Sequence, residues 1–422
     1  MEFIKKVFNS DGFKSVLSSL ISILIGVFIG FLAMVIITFI NPGNTFSDAL
    51  QGVKIILSGP FTSNIQKYML TNTGNMIFYA VPLIFTGLSV AIAYKTGLFN
   101  IGAPGQYIMG TIGSLYIALS FQPATRAEGV LIWILALLVG TVLGALWGII
   151  PGVLKAFFNI NEVIICIMTN WIAANLSSWF FKYQTAIQAN DAAKGGYLTK
   201  IVTTYTPKLG LDKLLPGSLL DGSIVIAIIV AIIIYIILNK TTFGFELKAC
   251  GSNKDASKYA GLNEKRNIII SIAIAGALAG MGASLYYLNP GIEYKYISQY
   301  AALPAYGFNG IASAFLANCN PIGTIFSSLF IRYLNIGGDY LVKVGFNRYV
   351  ADIVVAVIIY MAGFTRIIKE RLATISKKKI VEEKPKAKAK KKTTEEKPKA
   401  KDDKKADEEK PKAKAKKKEV NE

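Results

Sequence analysis

The sequence contains no histidine and only three cysteines in 422 residues. Histidine is the commonest general base, proton relay and metal ligand, so its absence removes the usual catalytic and metal-binding groups together. The cysteines, Cys166, Cys250 and Cys319, form no CxxC pair and no metal-ligand spacing. No segment matches GxxxxGK[ST], the glycine-rich loop that binds nucleotide phosphates. These absences favour a non-enzymatic protein without metal or cofactor, which does not bind ATP through that loop.

Long apolar runs dominate most of the chain. Hydrophobic residues make up 53% of the sequence and charged residues 17%, and the mean hydropathy is +0.45. These values exceed the apolar content of soluble domains. Because about 20 apolar residues cross a bilayer as a helix, we predict an all-α polytopic membrane protein with about ten transmembrane helices, some of them discontinuous. The predicted spans are 16–40, 76–94, 98–120, 130–154, 162–181, 223–239, 268–288, 301–317, 321–338 and 349–365.

Residues 366–422 differ sharply from the rest in composition. They hold 23 of the 46 Lys and Arg residues against 12 acidic residues, and EEKPKAKAKKK at 382–392 recurs at 408–418. Such a segment cannot bury enough apolar surface to fold. We therefore predict a short N-terminus at 1–15, a membrane domain at 16–365 and a disordered basic tail at 366–422. The tail is expected to meet solvent or the lipid bilayer, and its lack of aromatic residues argues against specific nucleic-acid binding.

The tail also determines the predicted orientation in the plasma membrane. Lys and Arg residues in the loops are balanced, with eleven on each side, so the loops alone do not distinguish the two sides. A segment as cationic as the tail resists export. With an even number of spans, both termini and the polar insert at 241–266 are then expected to be cytoplasmic.

The insert at 241–266 is polar and basic, and it separates two apolar runs. Ser252 or Asn253 can cap a short helix, and Gly261 can adopt the left-handed conformation that ends one. Three residues then share a face of this helix at positions i, i+3 and i+4: Ala256, Tyr259 and Ala260. The pattern predicts a contact surface in the cytoplasm. An ordinary connecting loop is the simpler interpretation of the residues alone.

Charged residues within the predicted spans are few, and each is a candidate functional group because a charge is costly in hydrocarbon. Glu162 begins the fifth span, Arg332 lies in the ninth, and Asp352 lies near the start of the tenth. Arg332 and Asp352 are compatible with a structural ion pair. No chain of titratable groups crosses the bilayer, which argues against a proton-driven carrier, whereas sodium coupling through backbone carbonyls stays open.

Residues 97–106, GLFNIGAPGQ, interrupt an apolar run with three glycines, a proline and two amides. Irregular backbone at membrane depth is tolerated only where protein or water covers it. The segment therefore favours a broken helix beside a pathway, or else a tight turn with small-residue packing. A second interruption occurs later in the chain, with GFNG at 307–310 and NCNPIG at 318–323.

Four blocks together resemble the signature blocks of one family. They are LFNIGAPGQ at 98–106, NEV at 161–163, LKACGSN at 247–253 with YAGLN at 259–263, and GFNGI at 307–311 with NPIG at 320–323. The family comprises the permease subunits of bacterial ABC importers for nucleosides, within a wider group that includes ribose and other simple-sugar permeases. The resemblance runs from about residue 16 to 365. Pro104 departs from it, because an acidic residue is commoner at that position.

The resemblance implies protein partners. In such importers two permeases form a pathway, ATPase subunits dock on cytoplasmic coupling helices, and an extracytoplasmic lipoprotein delivers the substrate. We therefore expect an ABC ATPase subunit, a second permease that is similar or identical, and a substrate-binding lipoprotein that meets the loop at 182–222. The resemblance places the ATPase-coupling residues in the insert: Gly251, Asn253, Ala256, Tyr259, Ala260 and Gly261.

A nucleoside presents sugar hydroxyls and base edges, which amides and an aromatic face bind better than full charges do. The predicted substrate pathway therefore uses the amide and aromatic residues of the two interrupted segments, together with Glu162 as a gate or cap element. The set is Phe99, Asn100, Gln106, Glu162, Asn309 and Asn320. Each amide is equally compatible with holding helices together.

The predicted function is that of a transmembrane permease subunit that moves nucleosides while a separate subunit hydrolyses ATP. Two alternatives stay open. An ABC permease for simple sugars, or for a nucleoside-like vitamin such as riboflavin, differs only in the side chains of the pathway. An ion-coupled secondary transporter would need no ATPase.

Overall fold

The structure is a computed structural model that describes residues 11–40, 43–184, 196–197, 203–295 and 302–365, and a few positions between 367 and 374. Most of the predicted N-terminal segment and of the predicted tail lies outside these residues. The helices are α1 (Asp11–Ile40), α2 (Phe46–Ser58), α3 (Gln66–Lys95), α4 (Ala103–Ser120), α5 (Arg126–Phe158), α6 (Glu162–Tyr183), α7 (Leu211–Leu214), α8 (Ser223–Lys240), α9 (Thr242–Ser252), α10 (Lys254–Tyr259), α11 (Glu264–Tyr287), α12 (Ala305–Leu316), α13 (Pro321–Asp339) and α14 (Arg348–Ala362). Two 3₁₀ segments, Gly59–Thr62 and Tyr340–Val344, and one short ladder, β1 (Gly196–Tyr197) antiparallel to β2 (Tyr294–Lys295), complete the described elements.

The prediction of a helical, polytopic membrane protein is confirmed, and each predicted span coincides with a described helix. Six helices in the described part of the chain are long and apolar enough to cross a membrane. The chain bends by 119° between α12 and α13. If this bent pair is counted as one span, the number rises to seven. The eighth and ninth predicted spans are therefore two arms of a bent pair.

The bend between α12 and α13 has a local cause. Asn318 and Cys319 both adopt left-handed backbone, at φ 51° and 53°, which ends α12 and reverses the chain. Asn320 then caps α13, because its Oδ1 accepts hydrogen bonds from the backbone N–H groups of Ile322 and Gly323 at 3.0 and 3.1 Å. The discontinuity predicted near residue 318 is thus built from an amide-rich turn.

Glycines allow α5 and α11 to pack backbone against backbone near the centre of the bundle. Gly140 and Gly144 of α5 face Gly276 and Gly280 of α11, with four-residue spacing on both helices. A Cβ built on Gly280 would lie 2.6 Å from the Gly140 carbonyl oxygen and 3.0 Å from the Gly144 Cα. Close approach of this kind is how membrane helices associate without a hydrophobic driving force between them.

The long helix α3 links the two ends of the bundle, since its 30 residues extend for about 45 Å. Near its start, the Asn72 amide donates to the Tyr340 hydroxyl at 2.7 Å. After its end, Gly97 packs against Gly251 of α9. We call the end that carries residues 241–263 the insert end, and the opposite end, which carries Tyr340, the far end.

The first and last described helices lie side by side. A Cβ built on Gly26 of α1 would lie 2.8 Å from the Ile358 Cα of α14, and the Thr365 hydroxyl donates to the Ser22 hydroxyl at 3.2 Å. Leu20 and Ile23, in the first half of α1, line a common cavity with the α12–α13 turn, which packs near the end of α3. Both ends of the described membrane domain therefore lie at the insert end.

The helix α2 was not anticipated from the sequence. It is capped by Thr45, whose hydroxyl accepts from the Asp48 N–H while the Asp48 carboxylate accepts from the Thr45 N–H at 2.7 Å. Its 13 residues are too few to span a bilayer. One face packs on α1 and α13, where Ala49, Gly52 and Ile56 are buried.

Candidate coupling segment and transport cavity

The insert folds as two consecutive short helices, α9 and α10. The Thr241 hydroxyl caps α9 by accepting from the Gly244 N–H at 3.1 Å. The Asn253 side chain then caps α10 by accepting from the Ala256 N–H at 3.0 Å, so of the two predicted capping residues Asn253 serves. The Asn263 side chain caps α11 in the same way, through the Arg266 N–H.

The end of α10 is fixed by a glycine. Gly261 has φ 80°, its N–H donates to the Lys258 carbonyl, and the Leu262 N–H donates to the Ser257 carbonyl, both at 3.0 Å. This pair of bonds is a Schellman motif, which satisfies the last carbonyls of a helix. α10 is thus held at both ends, although it has only six residues.

The two faces of α10 differ in exposure. Ser257 is buried and its hydroxyl donates to the Asn253 carbonyl at 2.8 Å. Ala256, Tyr259 and Ala260 are exposed, and the Tyr259 side chain is 94% exposed. The three residues therefore share an open face, in the positions that the sequence predicts.

Several contacts connect the insert to the membrane helices. A Cβ built on Gly251 would lie 2.8 Å from the Gly97 nitrogen, which leaves no room for a side chain. The Asn267 amide of α11 donates to the Glu246 carboxylate of α9 at 3.1 Å. Lys254 of α10 forms an ion pair with Glu264 of α11 at 3.5 Å. α9 and α10 are therefore in direct contact with α11 and with the loop at 97–102.

The interrupted segment at 97–106 comprises a hydrogen-bonded loop at 97–102, at the insert end, and the first turn of α4. The Asn100 amide donates to the Ser89 hydroxyl at 3.0 Å and to the Gln106 oxygen at 2.9 Å, while its own oxygen accepts from the Gly102 N–H and from Gln106. Asn100 and Gln106 are fully buried. In this conformation their polar groups bond to the protein itself.

Neighbouring residues complete this loop. The Asn170 oxygen of α6 accepts from the Gly105 N–H at 2.8 Å, and its amide donates to the Ile101 carbonyl at 3.0 Å. Phe99 is half-buried, with its ring 6.1 Å from the Phe315 ring. Pro104, the departure from the family pattern, packs on Gly307 of α12.

The remaining predicted pathway residues are dispersed. Glu162, in the first turn of α6, pairs with Lys155 of α5 at 2.9 Å. Asn320 caps α13 at the insert end. Asn309 is exposed and lines a cavity on the other side of α12. The structure therefore brings Phe99 and Asn100 of the 97–102 loop together with Gln106 of α4 and separates them from Asn309.

The cavity beside Asn309 lies between α12, α13 and α14 and has a volume of about 580 Å³. Its polar lining residues are Asn309, Arg332, Asn335, Asp339 and Asp352. An adjoining cavity of about 510 Å³ shares the wall formed by Ala312, Ile359 and Tyr360 and continues toward the insert end along α12 and α14. Together they form a groove, called here the α12–α14 groove, with a polar half and an apolar, aromatic half.

The suggested ion pair between Arg332 and Asp352 is not formed among the described side chains. The Arg332 guanidinium instead lies over the Tyr79 ring, 4.9 Å from its centroid, and its buried Nε has no hydrogen-bond partner in the described structure. Sequence reasoning identified Arg332 and Asp352 as charges inside spans but overlooked Asn335 and Asp339. A polar residue one helical turn from Arg332, in an otherwise apolar helix, was the available signal.

A bundle of apolar helices with a capped helical insert and a polar cavity within the membrane region is the architecture of a membrane permease. Residues 72–363 match the family described as "Branched-chain amino acid transport system / permease component", and the chain belongs to this family.

Characterised relatives share most of the membrane domain with this chain. The nucleoside ABC transporter permease protein NupB of Lactococcus lactis is 38% identical over 293 residues, 69% of this chain and 79% of the relative. The guanosine ABC transporter permease protein NupP of Bacillus subtilis is 33% identical over 306 residues, 72% and 84% of the two chains. The glucose ABC transporter permease protein TsgB13 of Haloferax volcanii is 28% identical over 297 residues, 66% and 73%. No solved structure matches the chain.

Proposed function

We propose that this permease moves nucleosides into the cell as the membrane subunit of an ATP-driven importer, and that a separate ATPase subunit docks on residues 241–266. Two relatives whose sequences align with most of the membrane domain are named for nucleosides and for guanosine. The observation that carries the docking proposal is α10, a helix capped at both ends that exposes Ala256, Tyr259 and Ala260.

Docking on α10 would transmit force through the contacts described above. A partner that holds the exposed face moves α9 and α10 as a unit, because Asn253 and Gly261 fix the ends of α10. The displacement then reaches the loop at 97–102 through the contact between Gly251 and Gly97, and it reaches α11 through the Lys254–Glu264 ion pair. Rigid-body motion of packed helices is a common way in which a remote site is opened or closed.

The proposed orientation puts the insert end in the cytoplasm. The basic tail would then stay inside the cell, in keeping with the excess of Lys and Arg found in cytoplasmic segments of membrane proteins. The far end, with the loop at 182–222, would face the substrate-binding lipoprotein. A second permease, similar or identical, would enclose the pathway with this chain.

A simple sugar is the second candidate substrate, because one relative of this chain, at 28% identity, is named for glucose. A nucleoside-like vitamin would use the same kind of pathway. An ion-coupled carrier differs in a testable way, since its uptake would continue without the ATPase.

The docking proposal is tested by Ala256→Glu and Ala256→Trp, which alter the exposed face without touching the buried Ser257. In membranes that contain the ATPase, the second permease and the lipoprotein, we expect nucleoside uptake to fall at least tenfold and the ATPase to be lost from pull-downs, while insertion of the chain stays normal. Ala127→Glu and Ala127→Trp, at an exposed alanine of the far end, are matched controls for the pull-down and should retain the ATPase. Normal uptake in both Ala256 variants would refute docking at α10.

A competition experiment tests the substrate. Guanosine and other purine and pyrimidine nucleosides should inhibit uptake of labelled nucleoside, whereas ribose and glucose should not. Uptake that responds to sugars alone would overturn the nucleoside assignment, and uptake without the ATPase would favour the secondary transporter.

A further inference from the structure

We propose that the α12–α14 groove is one wall of the substrate pathway, in which Arg332, Asn335 and Asp352 bind the ribose hydroxyls and the aromatic half receives the base. This inference rests on the proposed nucleoside function and adds the chemistry by which the substrate is held. Four observations support it: the polarity of the groove, the depth of its arginine, its balance of donors and acceptors, and its aromatic continuation.

The groove differs from the surfaces that face lipid. Along residues 131–150 of α5 the exposed large side chains are apolar, among them Leu131, Leu138 and Leu146, and along residues 225–236 of α8 they are isoleucines and a valine. The groove face instead exposes Asp339 and Asp352 beside the partly buried Arg332. Charges at membrane depth almost always face the bundle interior or a water-filled cavity. The groove is therefore expected to face a pathway rather than lipid.

Arg332 lies deep within the membrane region. It is eleven residues from the start of α13 and seven from its end, which corresponds to about 17 and about 10 Å along the helix. The Tyr79 ring holds one face of the guanidinium, a favourable cation–π geometry. The Nε–H remains buried without a partner among the described groups. A buried donor of this kind is costly unless a ligand or water satisfies it.

The lining groups match vicinal hydroxyls. A ribose hydroxyl both donates and accepts, so it can bond simultaneously to the Arg332 guanidinium and to the Asp352 carboxylate. Amide groups of Asn309 and Asn335 add further donors and acceptors on the same cavity wall. The Asp352 carboxylate would repel a phosphate group placed beside it. A neutral ribonucleoside is favoured over a nucleotide.

The second half of the groove suits a base. Phe308, Phe315, Tyr360 and Phe364 line it together with aliphatic side chains. Flat aromatic faces bind nucleobases by stacking, with little dependence on base identity. The two adjoining cavities, of about 580 and 510 Å³, fall within the range of ligand sites. A free sugar would leave the aromatic half unused.

Cysteine accessibility tests whether the groove is a water-filled pathway. Asn335→Cys, in the assembled transporter, should react with a cationic methanethiosulfonate reagent, and guanosine should slow the reaction at least threefold. Leu138→Cys on α5 is the matched control and should not react. The native cysteines Cys166, Cys250 and Cys319 are buried, so their background should be low. An unreactive Asn335→Cys, or a rate unchanged by guanosine, would overturn the proposal; the former would indicate a dry contact with the second permease.

Uptake kinetics test the roles of the charged residues. Arg332→Lys and Asp352→Asn should each raise the KM for guanosine about tenfold, the factor expected for one charge-assisted hydrogen bond. The same changes should alter the KM for 2′,3′-dideoxyguanosine much less, because that substrate lacks the vicinal hydroxyls. Lys343→Gln removes an exposed charge outside the groove and is the control. GMP should not be taken up.

These outcomes separate the two levels of the proposal. If the wild-type complex takes up no nucleoside, the proposed function fails. If it takes up guanosine but Arg332→Lys and Asp352→Asn leave the KM unchanged, only the ribose-binding role of the groove fails. Membrane abundance, measured for every variant, identifies a loss of uptake that results from misfolding.

Discussion

Asp221 is an acidic side chain buried at the far end, just before α8. Its carboxylate accepts from the Ser223 N–H at 2.9 Å and from the Asn289 amide at 2.7 Å. A cavity of about 400 Å³, lined also by Tyr205 and Lys208, adjoins it. Burial raises the pKa of Asp221 to about 6, against the weaker opposing effect of these hydrogen bonds. The hydrogen bond between Asn289 and Asp221 joins the segment after α11 to the segment before α8, and the protonation of Asp221 makes this contact depend on pH.

This shift predicts a pH dependence of stability. Because the folded state holds the Asp221 proton more tightly than the unfolded state, the contribution is full below about pH 4 and is lost as the pH rises through about 6. Between about pH 4 and about pH 6, the free energy of unfolding should fall by about 1 kcal/mol per pH unit relative to Asp221→Asn, and it should change little above about pH 7. Thermal unfolding of both proteins in one detergent measures the difference. Parallel pH profiles would contradict it.

Asn100 and Gln106 illustrate what residue types alone leave open. Their amides fit a nucleoside equally well and a buried hydrogen-bond network equally well, and the sequence does not say which groups are already bonded. The Gly102 N–H is only two residues from Asn100, but Ser89 lies on α3 and approaches Asn100 only once the 97–102 loop has packed on that helix. The capping roles of Asn253 and Asn263 were predictable, because a cap depends on neighbours within three residues.

At the scale of elements, the glycines between α5 and α11 give a sharp prediction. Gly280→Ala should destabilise the protein by about 1–3 kcal/mol, because even a single Cβ would lie 2.6 Å from the Gly140 carbonyl oxygen. Thermal unfolding followed by size-exclusion chromatography measures the effect. Gly43→Ala is the control, since a Cβ there meets nothing within 4 Å. Equal stability of the two variants would show that α5 and α11 do not pack as closely as described.

Helix positions followed from hydropathy, but the path of the chain between helices did not. The runs at 301–317 and 321–338 are both apolar, and hydropathy does not tell two spans from one bent pair. The direction in which α13 leaves α12 depends on the left-handed backbone at Asn318 and Cys319. A β-carbon disfavours this conformation, and only the surrounding packing stabilises it. α2 was missed for a related reason: its 13 residues have too short an apolar face to resemble a span.

For the whole molecule, the described contacts join the two ends of the membrane domain. α1 packs along α14, and the Thr365–Ser22 hydrogen bond lies at the insert end. α14 ends at Ala362, close to residue 365, and the bounds of the membrane domain at 16–365 stay a prediction. The same insert end carries α9 and α10. If the basic tail is cytoplasmic, the insert at 241–266 is therefore cytoplasmic as well.

Truncation after Ser376 should therefore leave transport intact. It removes the whole basic repeat sequence but keeps Thr365 and the helices that pack on α1. We expect uptake of labelled nucleoside within about twofold of the full chain at equal membrane abundance, because the tail lacks the apolar residues needed to join a packed core. Truncation after Asp352, which removes most of α14 and one wall of the α12–α14 groove, is the contrasting variant and should abolish uptake. Loss of uptake by the Ser376 truncation at normal abundance would instead assign the basic tail a part in transport, through anionic lipid or a partner subunit.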